Sequence, residues 1–284
     1  DPRSAAFDSF DPERDAVWMA EVPEEASHVW SHKARIAMFL SAMRHFRDAI
    51  RKRGWTVHYR RLDDPDNQGS FAAEIRRWAA ELRPQRLVAV EPGAWRVKQA
   101  LEQAARDLQV PLEIRPDRHF LCSPEEFAAH AEGRKQLRLE YFYREMRRKT
   151  GLLMDGPQPE GGRWNYDVEN RGAFGREGPR NVPLPLAFPP DRTTRDVIRL
   201  VNQRFADHPG RLDAFDWPVT PEQARQALDD FVAHRLTGHR RAIWDVAVTD
   251  DGRWAVSVAD DGQLIVWDLG GGESVRTVAV AKRG

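Results

Sequence analysis

Cysteine is almost absent from this chain: one residue, Cys122, in 284. That excludes a disulfide within the chain, and a metal or cluster site built only from its own thiolates. It also suits a reducing, cytoplasmic setting. Long apolar runs are missing. Nothing approaches the roughly 18 consecutive apolar residues that cross a bilayer, and the acidic, polar opening stretch is unlike a secretory signal. No membrane partner is expected. Net charge is missing as well, because 44 basic and 44 acidic residues cancel. Charge can therefore speak about nucleic acid only through its local clustering. There is no glycine-rich nucleotide fingerprint and no phosphate loop. His28, His32 and His45 lie near one helix start but read as surface histidines, so no metal site and no catalytic residue is assigned.

What is present begins with alternation. Ala16 to Val22 is short, apolar and bounded by charge, as a buried strand is. Ser31 to Arg53 carries Ile36, Phe39, Leu40, Met43 and Phe46 at helical spacing, with Gly54 where a C-cap belongs. Thr56 to Arg61 alternates like a strand. Ser70 opens a second helix with Phe71, Ile75, Trp78 and Leu82 on one face, and Pro84 lies beyond its end. Arg86 to Val90 and Leu112 to Arg115 read as strands flanking a helix over Trp95 to Leu108. Strands alternating with helices of this length predict an α/β fold with a Rossmann-like parallel sheet. Ligands of such sheets sit beyond the C-terminal strand ends. Glu24 and Glu25 follow the first strand, and Glu91, Pro92 and Gly93 follow the third. Carboxylates there could hydrogen-bond a ligand beside a glycine that lets backbone approach. Turn chemistry and favourable charge at a helix N-terminus account for the same residues.

The pattern changes after Asp117. Ser123 and Glu126 form a capping box ahead of a short helix. Leu137 to Thr150 follows, stopped by Gly151; it interleaves Tyr141, Phe142 and Tyr143 with Arg138, Arg144, Arg147, Arg148 and Lys149. Such a helix could contact phosphates while its aromatics pack or stack. It could equally be an amphipathic helix with a solvated basic face, salt-bridged by Glu140 and Glu145. Gly151 to Pro190 is rich in Gly, Pro, Asn and Arg and reads as a long irregular connection. Helices are expected near Thr194 to Phe205 and Thr220 to His234, the second with a Thr-Pro start.

The tail reads as four short strands, Ile243 to Val248, Trp254 to Val258, Leu264 to Trp267 and Ser274 to Val280. Asp250-Asp251-Gly252 and Asp260-Asp261-Gly262 form turns between the first three. Leu236-Thr237-Gly238-His239, followed roughly 30 residues later by Trp267-Asp268, resembles one WD-repeat blade. The resemblance assigns a structural network to His239, Ser257, Asp261 and Trp267. Propellers take roughly four to eight such blades, and no second copy is visible. A lone blade leaves its faces and edges uncovered, so it is expected to be unstable or to need partners.

From Glu21 to about Leu236 the chain resembles the bacterial cryptochrome/photolyase group that carries an iron–sulfur cluster. The resemblance rests on Ala42-Met43-Arg44-His45-Phe46, Glu91-Pro92-Gly93-Ala94-Trp95-Arg96, Pro116-Asp117-Arg118-His119-Phe120-Leu121, Gly133-Arg134-Lys135, Glu140 to Gly151 and Gly161-Gly162-Arg163-Trp164-Asn165-Tyr166-Asp167. It implies an α/β domain holding an antenna chromophore, 6,7-dimethyl-8-ribityllumazine, with Glu25, Glu91, Pro92 and Gly93 at its pocket. It further implies a helical domain holding FAD, whose photoreduced flavin donates an electron to a DNA lesion, typically a (6-4) photoproduct. Four late cysteines bind the cluster in the family. The family's first strand, ending in Gly-Asp-Gln-Leu, lies ahead of this chain's start, and Ala20 stands at its small pocket cysteine.

The expected organisation is an antenna domain over 1–118 lacking its first strand, a helix and connection over 119–190, the start of a helical FAD domain over 191–235, and a blade over 236–284. The expected function is light-dependent (6-4) photoproduct repair or blue-light sensing. On this reading the flavin- and cluster-binding half is absent, the chain has no catalytic activity alone, and damaged DNA and separate flavin-domain or propeller-blade polypeptides are the partners. The alternatives are a non-catalytic interaction module and a non-functional fusion fragment.

Overall fold

The computed structural model describes residues 3–165, 184–231 and four strands over 243–248, 254–259, 263–268 and 273–279. The chain divides into two compact units, one of residues 1–126 and 187–223, the other of 127–186 and 224–284.

The first unit is built of β-α-β steps. Strand β1 (Val17–Ala20) leads through the short α1 (Pro23–Ser27) and the long α2 (Lys33–Lys52) to β2 (Val57–Arg60); α3 (Phe71–Leu82), β3 (Leu87–Val90), α4 (Trp95–Leu108) and β4 (Leu112–Arg115) follow. The predicted caps are in place. Ser70 Oγ accepts from the Ala73 amide at 3.3 Å, and Gly54, with φ 80°, takes the left-handed position after α2. Among the described residues all strand pairing in this unit is parallel, β1 with β2 and β3 with β4.

The expected single sheet is present as two separate two-stranded sheets. Among the described residues β1 and β3 share no ladder, so each keeps one unpaired edge. Helices, not backbone hydrogen bonds, join the two pairs. Ile75 of α3 with Leu101 and Ala104 of α4 forms a core against which Trp18 of β1, Leu87 and Ala89 of β3 and Leu112 of β4 all pack. A short 3-10 turn, Ala5–Phe7, holds Ala5 at 2% exposure. Arg115 donates to the carbonyls of Ala5 and Asp8, at 2.9 and 2.6 Å.

A second core lies on α2. Helix α7 (Arg192–Arg204) is distant in sequence yet buries Val197, Leu200 and Val201 with Ile36, Ala37 and Leu40 of α2. The segment after α7 covers the start of α2. The Lys33 amide donates to the Pro209 carbonyl at 2.9 Å, and Lys33 Nζ to the Ala206 carbonyl at 2.9 Å. Gly210 is required here: its φ is +95°, and a Cβ would lie 2.0 Å from the His32 ring. Residues to 126 and from 187 to 223 share one compact unit with the α/β elements. Phe39, expected in the α2 core, is 51% exposed; the buried face of α2 instead takes in Ala34, Ala37 and Ser41.

Where β1 ends, a buried ion pair fastens three elements. Glu21 and Arg44 are 1% and 3% exposed. Arg44 donates to both Glu21 carboxylate oxygens, at 2.6 and 2.8 Å. The Tyr59 hydroxyl donates to the same carboxylate at 2.6 Å, and the Leu62 amide at 2.9 Å. Every acceptor direction of the carboxylate has a donor, which is the condition under which a buried charge is tolerated. Burial, reinforced by the Glu21 charge, pushes the Tyr59 phenol far above its ordinary value.

The second unit contains α5 residues beyond 126, α6 and the tail sheet. Helix α5 (Pro124–Ala131) starts with the predicted capping box: the Ser123 amide donates to Glu126 at 2.9 Å and the Glu126 amide to Ser123 Oγ at 3.2 Å. Helix α6 (Leu139–Thr150) ends at Gly151, φ 71°. A small hairpin follows, β5 (Met154–Asp155) with β6 (Gln158–Pro159), inside the stretch expected to be irregular. Helix α8 (Pro221–Phe231) begins with the Gln223 amide donating to Thr220 Oγ1 at 3.2 Å. The tail strands β7 (Ile243–Val248), β8 (Trp254–Ala259), β9 (Gln263–Asp268) and β10 (Glu273–Ala279) form one antiparallel four-stranded sheet in sequence order. The Asp-Gly turns lie outside the described residues.

Glu21→Gln removes the carboxylate that takes two hydrogen bonds from the buried Arg44 guanidinium and leaves Asp63, 3.7 Å away, as its charged neighbour. We expect a loss of about 3 kcal/mol in unfolding free energy by urea titration; a loss below about 1 kcal/mol would show that the pair is not anchoring the strand end. Tyr59 adds a pH signature. Its folded pKa is raised, so its contribution is complete below the unfolded value near 10 and declines as pH rises further. Stability should fall by up to about 1.4 kcal/mol per pH unit above about pH 10 on this account, and Tyr59→Phe should remove that component of the slope.

Candidate functional site

The C-terminal ends of β1 and β3 carry the predicted carboxylates. Helix α1 begins at Pro23, whose missing N–H costs nothing in a first turn. Glu24 and Glu25 follow in that turn, and both reach Arg96 in the first turn of α4. Arg96 donates to the two Glu25 oxygens at 2.8 and 2.9 Å and lies 3.7 Å from Glu24. Glu91, one residue past β3, accepts from Lys98 at 2.7 Å. That hydrogen bond raises the Lys98 pKa, so the ammonium stays charged through the neutral range. Its Nζ also sits 5.8 Å from the centroid of the Trp95 ring, which is 68% exposed. Pro92 and Gly93 form the turn between. Gly93 is not in the left-handed region and a Cβ there would meet nothing within 4 Å. Neither backbone strain nor crowding by the protein itself demands a glycine; the ground beside this turn is open.

Both carboxylates are thus held by the start of one helix, through cations that sequence reading did not single out. Lys98 follows Glu91 by seven residues, and a strand-end acid with a cation one helical turn inside the next helix was the available signal. The arrangement offers hydrogen-bond acceptors, donors and an exposed indole along one end of the unit.

The basic helix α6 divides its charges. Glu145 is spent on His130, at 2.6 Å, and Arg134, at 2.7 Å, not on the arginines of the basic face as expected. Glu140 pairs with Arg144. Arg144, Arg147 and Arg148 converge on Trp164, their guanidinium carbons 5.4, 5.3 and 4.7 Å from its ring centroid. Arg147 is 6% exposed, donates to the Leu153 carbonyl, and keeps a buried Nε with no hydrogen-bond partner. Lys149 is exposed at the next position after Arg148.

His32 caps α2, its Nδ1 accepting from the Ala34 amide at 3.1 Å, and His45 lies 3.3 Å from Asp191. Among the described residues no group of three metal-ligating side chains occurs. In the tail, Trp267 Nε1 donates to the Ser257 hydroxyl at 2.7 Å, and Ser257 is 2% exposed. His239 and Asp261 of the expected network lie outside the described residues. No described helix is long and apolar enough to cross a membrane.

The fold is a mixed α/β protein with small parallel sheets and an antiparallel tail sheet. Residues 1–217 match the family described as deoxyribodipyrimidine photo-lyase-related protein, and the chain belongs to that family. Residues 231–268 match the WD domain, G-beta repeat. The chain is also similar to a (6-4) photolyase of Agrobacterium fabrum (strain C58 / ATCC 33970), 46% identical over 250 residues. That match takes in 88% of this chain and 49% of the relative, so the chain spans about half the relative's length.

Because Glu25, Glu91 and their cations are partly exposed, their ion pairs contribute little to stability. Glu25→Gln and Glu91→Gln should each leave the melting temperature within about 3 °C of the parent chain, as expected for pairs worth under about 1 kcal/mol. A larger drop by differential scanning calorimetry would make them framework residues and not ligand contacts.

Proposed function

We propose that this chain is photolyase-like and takes part in light-dependent repair of DNA, with the (6-4) photoproduct as the lesion class. The observation that carries the reading is the 46% identity to a (6-4) photolyase, sustained over 250 residues. Blue-light sensing is the related role the same family resemblance allows.

Within that reading the strand-end cluster is the antenna pocket. Glu25 and Glu91 would accept hydrogen bonds from the hydroxyls of a ribityl chain, Arg96 and Lys98 would donate to ring carbonyls, and Trp95 would lie against the heteroaromatic face. The donor and acceptor set fits a polyhydroxylated heterocycle of the lumazine kind. When bound, such a chromophore supplies light absorption, and FAD in the family supplies the electron for the lesion. The residues of this chain bind and orient; none is assigned a bond-making role. A cluster held by four cysteines does not fit the one cysteine here.

The tail supports a second role. An antiparallel four-stranded sheet and a WD-repeat match over 231–268 favour a protein-binding surface, with further blades or a flavin-carrying polypeptide as the partner.

Titration with 6,7-dimethyl-8-ribityllumazine, followed by absorption and fluorescence, tests the antenna. Saturable binding is expected, weakened about tenfold or more by Glu25→Gln or Glu91→Gln, the worth of a hydrogen bond to a charged group. Soluble protein that binds no lumazine, or binds it equally well in both variants, overturns the pocket.

A further inference from the structure

Among the described residues, Arg144, Arg147 and Arg148 of helix α6 share one paired carboxylate, that of Glu140. The two glutamates of the helix are both committed, Glu140 to Arg144 and Glu145 to His130 and Arg134. Among the described residues no carboxylate lies within ion-pair distance of Arg147 or Arg148. Three guanidinium groups nevertheless crowd one indole, Trp164, at 4.7 to 5.4 Å. Positions 144, 147 and 148 are three and four apart, so they share one helical face. The indole brings attraction through its ring quadrupole, but it does not cancel the charge.

Arg147 makes the case strongest. Burying an unpaired cation is costly, yet this one is 6% exposed and leaves its Nε without a partner. Its contacts are the Leu153 carbonyl, Trp164 and the Tyr143 ring, whose centroid is 5.4 Å away. The basic last turn also favours the helix dipole, but that explains the presence of arginines and not their convergence. A cluster of forks with unused donors has the chemistry of an oxyanion receptor.

We propose that Arg144, Arg147 and Arg148, set on Trp164, form a phosphodiester-binding platform for a nucleic-acid strand. Nucleic acid is favoured over an acidic peptide by what lies alongside. Tyr141 and Tyr143 are 46% and 42% exposed on the same helix. Exposed aromatic rings next to arginines stack bases, whereas a carboxylate-bearing peptide has no use for them. Trp164 and the Leu153 carbonyl hold the guanidiniums in place, and Arg148, exposed and resting on the indole, makes the outermost contact. This proposal rests on the DNA-directed reading above, and its test is independent of the antenna titration.

The experiment is fluorescence anisotropy of a labelled, undamaged single-stranded oligonucleotide against the full chain at several salt concentrations. Each phosphate neutralised contributes about 0.7 to the slope of log affinity against log salt on single strands. Arg148→Gln should lower that slope by about 0.7 and weaken binding several-fold at low salt. Arg144→Gln with Arg148→Gln should lower it by about twice as much, while circular dichroism matches the parent chain. Trp164→Ala should weaken binding with the charges intact. Unchanged slope in the double variant overturns the platform while leaving the DNA-directed reading in place. Absence of binding by the parent chain overturns the platform, and the antenna titration then decides the wider reading alone. Displacement of the oligonucleotide by poly-glutamate as effectively as by unlabelled DNA of equal charge would also overturn the assignment to nucleic acid.

Discussion

The Glu21–Arg44 pair is the interaction on which the geometry of the first unit depends. It stands where β1 stops, and it binds that point to the middle of α2, to β2 through Tyr59, and to the following loop through the Leu62 amide. Asn67 adds a bond to the Glu21 carbonyl at 2.7 Å. The chain therefore leaves β1 in a fixed direction, and the next residues, Pro23 to Glu25, are delivered to Arg96. A fully satisfied carboxylate in a dry setting tolerates little displacement. The position of the strand-end acids follows from a buried residue that precedes them in the chain.

Much of the framework could be read from local patterns. Ser70, the Ser123–Glu126 box, Gly54, Gly151 and the Thr220-Pro221 start all act through neighbours a few residues away, and each lies where the pattern puts it. What lay beyond reading was long-range. Nothing near Thr194 announces that α7 will complete the α2 core, because its apolar stripe fits any apolar face. Phe39 obeys the helical period yet faces outward, since α2 packs its small residues inward, Ala37 among them. The β5–β6 hairpin is too short to show a period; Gly156-Pro157, with Gly156 at φ 55°, marks its turn.

The sites divide in the same way. Carboxylates at strand ends follow from α/β topology, so Glu25 and Glu91 were visible, while Arg96 and Lys98 acquire meaning only once α4 is placed beside them. The basic helix was visible as composition. Its focus was not, because Trp164 comes 14 residues after the end of α6 and joins the arginines only when the intervening hairpin folds back. Convergence of like charges on one ring is a tertiary fact, and it separates an organised cluster from a solvated face.

The division of the parallel strands into two pairs carries a mechanical consequence. With no ladder between β1 and β3, stiffness across that line comes from side chains interdigitating under α3 and α4, which resist compression well but shear more readily than a continuous sheet. The strand-end acids sit on opposite sides of this seam, Glu25 beyond β1 and Glu91 beyond β3, and α4 grips both. A small slip of one pair against the other would thus appear as a change in spacing between the two carboxylates, with α4 serving as the spring.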